Sequence, residues 1–398
     1  MSELRRELGL GGAVVTGLGS ILGTGAFVAI AIAHGAVGPF VVLAAPLAGL
    51  VAIFNGLSSA ALASAHPVAG GTYEYGTKYL GPWAGFLAGW LFLIAKSASA
   101  ATAALALGSM VGRSFAPVVI VALMTGLVAA GIRRTAAVNL ALITVTITGL
   151  VTFVVLAAGA STSATGPGPF AGWPSFLEAV AFLFVAYTGY GRIATLGEEV
   201  RDPARTIPRA VIVTLAVTAL LYTSIAWGVD RFVGAGRQGE TLADIVDGLT
   251  GAGLVTVAAA AAMAGVLLNL LLGLSRVWLA MGRRGDMPGV LGRVVNGSPR
   301  VAVAVTGAVI AGLTLIGDLR VAWSFSAFSV LLYYAITNAA ALRLGPAERR
   351  FPRWTAWAGL ASCVFLAAWL DPVVVVVSLA VIAAGVLWRA VWRQRVRT

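Results

Sequence analysis

Long apolar stretches separated by short polar connectors recur from one end of the chain to the other. Twelve can be marked, at roughly 10–33, 38–62, 84–110, 116–132, 137–159, 176–197, 209–229, 252–280, 300–317, 321–342, 354–370 and 372–390. Most approach or exceed the ~20 residues a helix needs to cross a bilayer core. The pattern predicts an all-α membrane protein with twelve transmembrane helices and no soluble domain. Its first apolar stretch outruns a signal-peptide core, so residues 10–33 are expected to be a true first span.

Composition agrees. Of 398 residues, 59% are hydrophobic and 11% charged, against about 25% charged in soluble domains. Mean hydropathy is +0.94. A soluble enzyme, a disordered chain and a disulfide scaffold are excluded. One cysteine, Cys363, and two histidines give no metal-ligand spacing, so neither a metal nor another cofactor is expected.

The net charge of +12 raises the question of nucleic acid, and the placement of the charges answers it. With the N-terminus inside, only Arg113, Arg231, Arg237 and Arg320 fall in outward segments. Lys96 and Arg192 lie within spans. The remaining 21 of 27 lysines and arginines (27 − 4 − 2) face inward. Positive-inside bias accounts for that asymmetry. Both termini are then expected in the cytoplasm, with no nucleic-acid partner.

Two spans are interrupted. Span 1 carries Gly17, Gly19, Gly23 and Gly25 at mid-depth, with Ser20 and Thr24 among them. Each glycine weakens a helix interior by about 1 kcal/mol, so this stretch is expected to unwind; close packing of small residues is the plainer alternative. Span 6 has a second weak point, Tyr187-Thr188-Gly189-Tyr190-Gly191-Arg192. Paired interruptions in corresponding halves point to the binding site of a secondary transporter. Spans 1 and 6 correspond if spans 1–5 and 6–10 are two five-helix units, and an odd unit repeated must invert in the membrane. Unwinding exposes N–H groups that suit a carboxylate and C=O groups that suit an ammonium. A break offering both suits an α-amino acid.

At this point the residues resemble the amino acid–polyamine–organocation superfamily. Four motifs carry the likeness: Gly17-x-Gly19-x-x-x-Gly23-Thr24-Gly25-x-Phe27; Pro67-x-x-Gly70-Gly71-x-Tyr73-x-Tyr75 with Gly81-Pro82 and Gly85-Phe86-x-x-Gly89-Trp90; Tyr187-Thr188-Gly189 with Glu198-Glu199-Val200-x-Asp202-Pro203-x-x-x-Ile207-Pro208-Arg209; and Ser275-Arg276-x-x-x-Ala280-Met281-x-Arg283-x-Gly285-Asp286-x-Pro288. They cover residues 17–288. The resemblance implies twelve helices in a 5+5 inverted repeat with discontinuous helices 1 and 6. Residues 1–160 and 161–345 would be the two repeats and 346–398 two further helices with a basic tail. It also implies alternating access and an amino acid or related amine as substrate. By position, the carboxylate would meet backbone around Ser20, Thr24 and Gly25. The ammonium would meet carbonyls of Leu18, Ile21, Val185, Ala186 and Thr188. Tyr187 and Tyr190 are candidates for pocket lining or gating, with packing as the alternative.

The chain departs from the resemblance in ways that shape the expected function. Several proton-coupled relatives carry a lysine in helix 5; here that position falls near Thr146. Lys96 lies mid-span in helix 3 instead. A charge at that depth costs at least about 2.5 kcal/mol, so it is a functional candidate by default. It is assigned either to proton coupling or substrate contact, or to holding carbonyls freed by the helix 1 break. Arg192 is a candidate gate residue with Glu198 or Glu199, or simply reaches toward water. Arg276 and Arg283 with Asp286, and Glu74 with Lys78, are expected as inner-face ion pairs, and Arg276 as part of the gate. Helix 8 lacks a vicinal Ser/Thr pair, which argues against sodium. With Lys96 and Arg192 the only deep charges, a neutral amino acid is favoured, then an acidic one. His34 and His66 are read as helix-end residues.

The leading function is therefore a transporter of amino acids across the cytoplasmic membrane, with the proton as coupling partner. An amino acid or amine exchanger is one alternative, a non-transporting sensor another. A channel lacks a filter-like carbonyl repeat, and an enzyme lacks any catalytic grouping. No obligate protein partner is signalled.

Overall fold

The computed structural model describes residues 8–67, 70–130, 135–160, 170–194, 200–295, 298–315 and 318–397. Among them the chain is helical, with isolated β-bridges only at Leu8–Val200 and Val295–Ser298. The helices are α1 (Leu10–Ile21), α2 (Ile30–Val37), α3 (Val41–Ala65), α4 (Thr72–Tyr79), α5 (Pro82–Val111), α6 (Ala116–Ala129), α7 (Thr135–Gly159) and α8 (Trp173–Tyr187). They continue as α9 (Gly191–Ala194), α10 (Pro203–Gly234), α11 (Leu242–Ile245), α12 (Ala252–Arg283), α13 (Arg300–Thr314), α14 (Leu319–Leu342), α15 (Arg353–Ala367) and α16 (Pro372–Arg397).

Eight helical runs are long and apolar enough to cross a membrane, and α1, α6 and α13 are shorter apolar helices. One run, Gly25–Ala65, is 41 residues long. It turns at Gly38, whose φ of +57° favours a residue without Cβ, so α2 and α3 are separate passes. Leu43, Leu123, Val155, Leu220 and Val373 lie on the outer surface and are more than half exposed. In water that surface would be a large apolar liability; in hydrocarbon it is the solvated face.

The helices pack in matched pairs. α3 lies along α10 and α5 along α12. α1 packs on α10 as α8 packs on α3; α7 packs on α12 as α14 packs on α5. α3 and α10 each carry a proline at their sixth residue, Pro46 and Pro208. α15 and α16 stand outside this pairing, α15 against α3 and α14, α16 against α14 and α5.

Basic residues gather at the end of the bundle that holds α4, here called the basic end. The opposite end carries an aromatic cluster of Phe40, Phe170, Trp173 and Phe176. It also carries the pairs His34–Asp230 at 3.2 Å and Arg320–Glu178 at 3.4 Å.

Candidate functional site

Both interruptions expected from the glycine pattern are present. α1 ends at Ile21; Leu22 has ψ 85°, outside the helical range, and a wide helical turn resumes over Gly25–Ala29 before α2. α8 ends at Tyr187 and passes through a tight turn over Thr188–Tyr190 into α9.

The two breaks touch. A Cβ on Gly189 would strike the backbone carbonyl of Ser20, and a Cβ on Gly25 would strike Ala186. Glycine is needed here for close backbone approach, not for an unusual φ. Thr24 is 2% exposed, and its hydroxyl is buried without a partner. At the start of the half-helix that begins at Gly25, Ala26 N and Phe27 N both donate to Gly23 O, at 3.0 and 3.2 Å. The Thr24 hydroxyl is therefore the buried, unpartnered donor at the start of that half-helix.

The carbonyls are another matter. Leu18 O accepts from Leu22 N at 2.8 Å. Val185 O accepts the Thr188 hydroxyl at 2.7 Å. Thr188 O accepts the Tyr334 hydroxyl at 3.2 Å. Ile21 O and Ala186 O both face the Tyr222 hydroxyl, at 2.9 and 3.3 Å. All five carbonyls expected to meet an ammonium therefore face a protein donor in this conformation, with Ile21 O and Ala186 O sharing the single Tyr222 proton. Val185 O and Thr188 O each accept a second bond, from Thr188 N and Gly191 N, so an ammonium there would have to displace a donor.

Lys96 reaches the helix 6 break. Its Nζ donates to Thr188 Oγ1 at 2.8 Å. The break it touches is thus that of span 6, not the span 1 carbonyls considered above. Thr146, the position where relatives hold a lysine, is buried and bonds Leu142 O at 2.7 Å. Tyr187 is fully buried, and its hydroxyl bonds Ala45 O at 2.9 Å on α3. Tyr190 is also fully buried, its ring 5.4 Å from that of Tyr334. Both tyrosines are embedded among neighbours, which matches packing as well as pocket lining.

Around this centre, Trp323 Nε1 donates to Phe182 O at 3.0 Å and fixes α8 on α14. Ser326 links Ala95 O and Ser99, both at 2.8 Å, and fixes α5 on α14. Tyr222 and Tyr334 were missed in the sequence. Their signal was faint but present: of eight tyrosines in the chain, Tyr222, Tyr333 and Tyr334 lie inside apolar spans without a flanking glycine motif.

The basic end corrects two expectations. Asp286 does not pair with Arg276 or Arg283. The chain turns back at Gly285, φ +73°, and Asp286 N bonds Met281 O at 2.9 Å. That fold-back aims the carboxylate at α16, where Arg389 and Arg393 each approach at 3.2 Å. The Tyr73 hydroxyl also donates to it at 2.8 Å. Arg276 lies well back from the end of α12 and is exposed. Glu74 pairs with Arg284, not with Lys78, which faces His66 at 3.2 Å.

Burial raises the Tyr73 phenol well above its ordinary value, with the Asp286 carboxylate adding to it. Burial also raises Glu74, and Arg284 opposes that shift. His66 is lowered by burial and then by the Lys78 charge. Arg192 is half-buried on α9; Glu198 and Glu199, named with it as gate candidates, lie outside the described residues.

The amino acid permease profile matches residues 12–393. The chain belongs to the amino acid permease family. It is 43% identical over 401 residues to a protein of Mycobacterium tuberculosis described as an uncharacterized transporter, covering 96% of this chain and 90% of that one. It is 28% identical over 327 residues to the branched-chain amino acid permease of Bacillus subtilis, covering 73% and 70%. A methylthioribose transporter of the same organism is also 28% identical, over 325 residues. The fold is similar to that of MhsT, solved with L-phenylalanine, with a TM-score of 0.66 at 16% identity over 96% of this chain and all of that one. This permease is therefore a multi-pass membrane transporter and not an enzyme.

Proposed function

We propose that this permease carries a neutral amino acid across the cytoplasmic membrane by alternating access, coupled to protons and independent of sodium. The observation that carries the reading is the contact between two broken helices with Lys96 bonded to one of them. Carboxylate recognition is assigned to the donors around Ser20, Thr24 and Gly25. Ammonium recognition is assigned to the carbonyls of Leu18, Ile21, Val185, Ala186 and Thr188, with Tyr187 and Tyr190 lining or gating the approach. Arg192 and Arg276, with Glu198 and Glu199, are assigned to the cytoplasmic gate.

The paired helix packing supports two inverted five-helix repeats, residues 1–160 and 161–345, and two added helices in 346–398. With that arrangement we assign the chain twelve spans and assign both termini to the cytoplasm, in line with the positive-inside bias. The coupling reading rests on one cation. Lys96 sits against the site, and among the described residues no carboxylate pairs with it. Substrate bound beside Thr188 would change the surroundings of Lys96 and so its protonation.

The test is uptake into proteoliposomes of labelled neutral, acidic and basic amino acids in sodium-free buffer, with and without an inward proton gradient. Gradient-driven accumulation of a neutral amino acid, lost in Lys96→Met, is the expected result. Uptake only into preloaded vesicles would make the protein an exchanger. No uptake of any member would overturn the amino acid assignment, leaving other small metabolites or a sensor.

A further inference from the structure

At the basic end, the loop from α14 into α15 holds Arg349, Arg350 and Arg353 within five residues. Arg349 donates to Leu344 O at 3.0 Å and Arg353 to Leu342 O at 3.4 Å, so both cover the C-terminus of α14. A guanidinium carries five donors, and those bonds use few of them. Among the described residues no carboxylate pairs with any of the three. The adjacent Glu348 accepts instead from the Tyr79 hydroxyl and Gly345 N.

Arg349 and Arg353 line a small cleft between α3, α14 and α15. Two polar atoms there are buried with no partner: Ser58 Oγ and Arg349 Nε. Ser58 is 3% exposed. An unpaired buried polar atom is costly, and a ligand oxygen would satisfy both. The first turn of α15, a helix of 15 residues, forms part of the wall beside Leu57 and Ala61 of α3 and Ala341 of α14. Its free N–H groups and positive dipole end favour an anion. Beside it, Trp354 and Trp357 are 60% and 59% exposed, and Trp354 packs edge-on against Phe54 of α3. Tryptophans so placed sit at headgroup level.

We propose that this corner binds an anionic phospholipid. Its phosphate diester faces Arg350, Arg353 and the start of α15, with one oxygen directed toward Ser58 and Arg349. Its acyl chains run past Trp354 and Trp357. The exposed tryptophans and the uncompensated positive charge select a bilayer lipid over a soluble anion.

The experiment is native mass spectrometry of the delipidated full-length protein titrated with phosphatidylglycerol and with phosphatidylcholine. The expected result is preferential retention of phosphatidylglycerol. Each arginine beside an anionic headgroup contributes roughly fivefold in affinity. Arg350→Gln with Arg353→Gln, two exposed positions, should therefore weaken phosphatidylglycerol roughly 25-fold and leave phosphatidylcholine unchanged. Ser58→Val, which removes the buried hydroxyl without altering charge, should weaken it several-fold. Equal retention of the two lipids would overturn the proposal, as would unchanged affinity in the double arginine variant. So would full displacement by millimolar inorganic phosphate, or an equal loss in Arg293→Gln with Arg300→Gln, two exposed cations elsewhere on this end.

Discussion

Asp286 offers the sharpest test of the interactions that hold the basic end together. Its side chain is 5% exposed and faces Arg389, which is 1% exposed, and Arg393, which is 41% exposed. Arg389 also donates to Pro82 O and stacks over Trp83 and Phe86, with its guanidinium carbon 4.6 and 4.8 Å from the ring centroids. Asp286→Asn keeps the volume and removes the charge. It leaves a buried cation without its anion, a change that costs about 3–5 kcal/mol. The Pro82 bond and the two aromatic faces remain and offset about 1–2 kcal/mol of that. The expected net loss is therefore about 1–4 kcal/mol. Arg393→Gln removes a half-exposed partner of the same carboxylate and should cost less than about 1 kcal/mol. Asp286→Asn combined with Arg389→Met leaves no unpaired buried charge, so it should be more stable than Asp286→Asn alone. Denaturant unfolding of the detergent-solubilised protein, followed by tryptophan fluorescence, measures all four chains. Equal losses from Asp286→Asn and Arg393→Gln, or a double variant weaker than Asp286→Asn, would refute the reasoning.

Three further outcomes follow from the same geometry. Gly189→Ala drives a methyl into Ser20 O and should abolish uptake, whereas Gly273→Ala, which meets nothing within 4 Å, should leave it intact; initial uptake rates decide. Tyr222→Phe removes the donor shared by Ile21 O and Ala186 O and should lower stability by about 1 kcal/mol. Added substrate should then raise the melting temperature more than in the parent, and an equal rise would show that the hydroxyl does not compete with substrate. His66 is held below its ordinary value of 6.5, so the unfolded chain binds its proton more readily. Its contribution is fully present above about pH 6.5 and is lost as pH falls through that value to the lowered folded one. His66→Gln should flatten that part of the stability-versus-pH curve, and an unchanged slope would assign the acid loss to another group.

What could be read from the sequence and what could not divide along the reach of each interaction. The spans and both breaks are local: a run of leucine and alanine, or four glycines in nine residues, acts on the backbone that carries it. The breaks fall at Leu22–Thr24 and Thr188–Tyr190 because the chain itself cannot hold a regular helix there. Lys96 was legible for a similar reason, since a charge at that depth needs a purpose whatever surrounds it. Its target was not legible. Whether it meets span 1 or span 6 depends on the packing of α5 and α8 against α14, and the residue that decides is Thr188, 92 positions away. Tyr222 is 201 residues from Ile21, and Asp286 is 107 from Arg393. For such pairs, sequence supplies the candidates and tertiary structure chooses among them. Proximity in sequence is a poor guide even between neighbours. Glu74 and Lys78 have the ideal helical spacing for a pair, yet Arg284 takes the glutamate and His66 faces the lysine. An exposed pair within one helix gains little from its spacing, so a partner brought in by folding wins when it sits where water is scarcer. That preference is what ties α4 to the end of α12. It also makes the loop after α12, with Arg284 and Asp286 reaching opposite neighbours, the joint through which α4, α12 and α16 are held together.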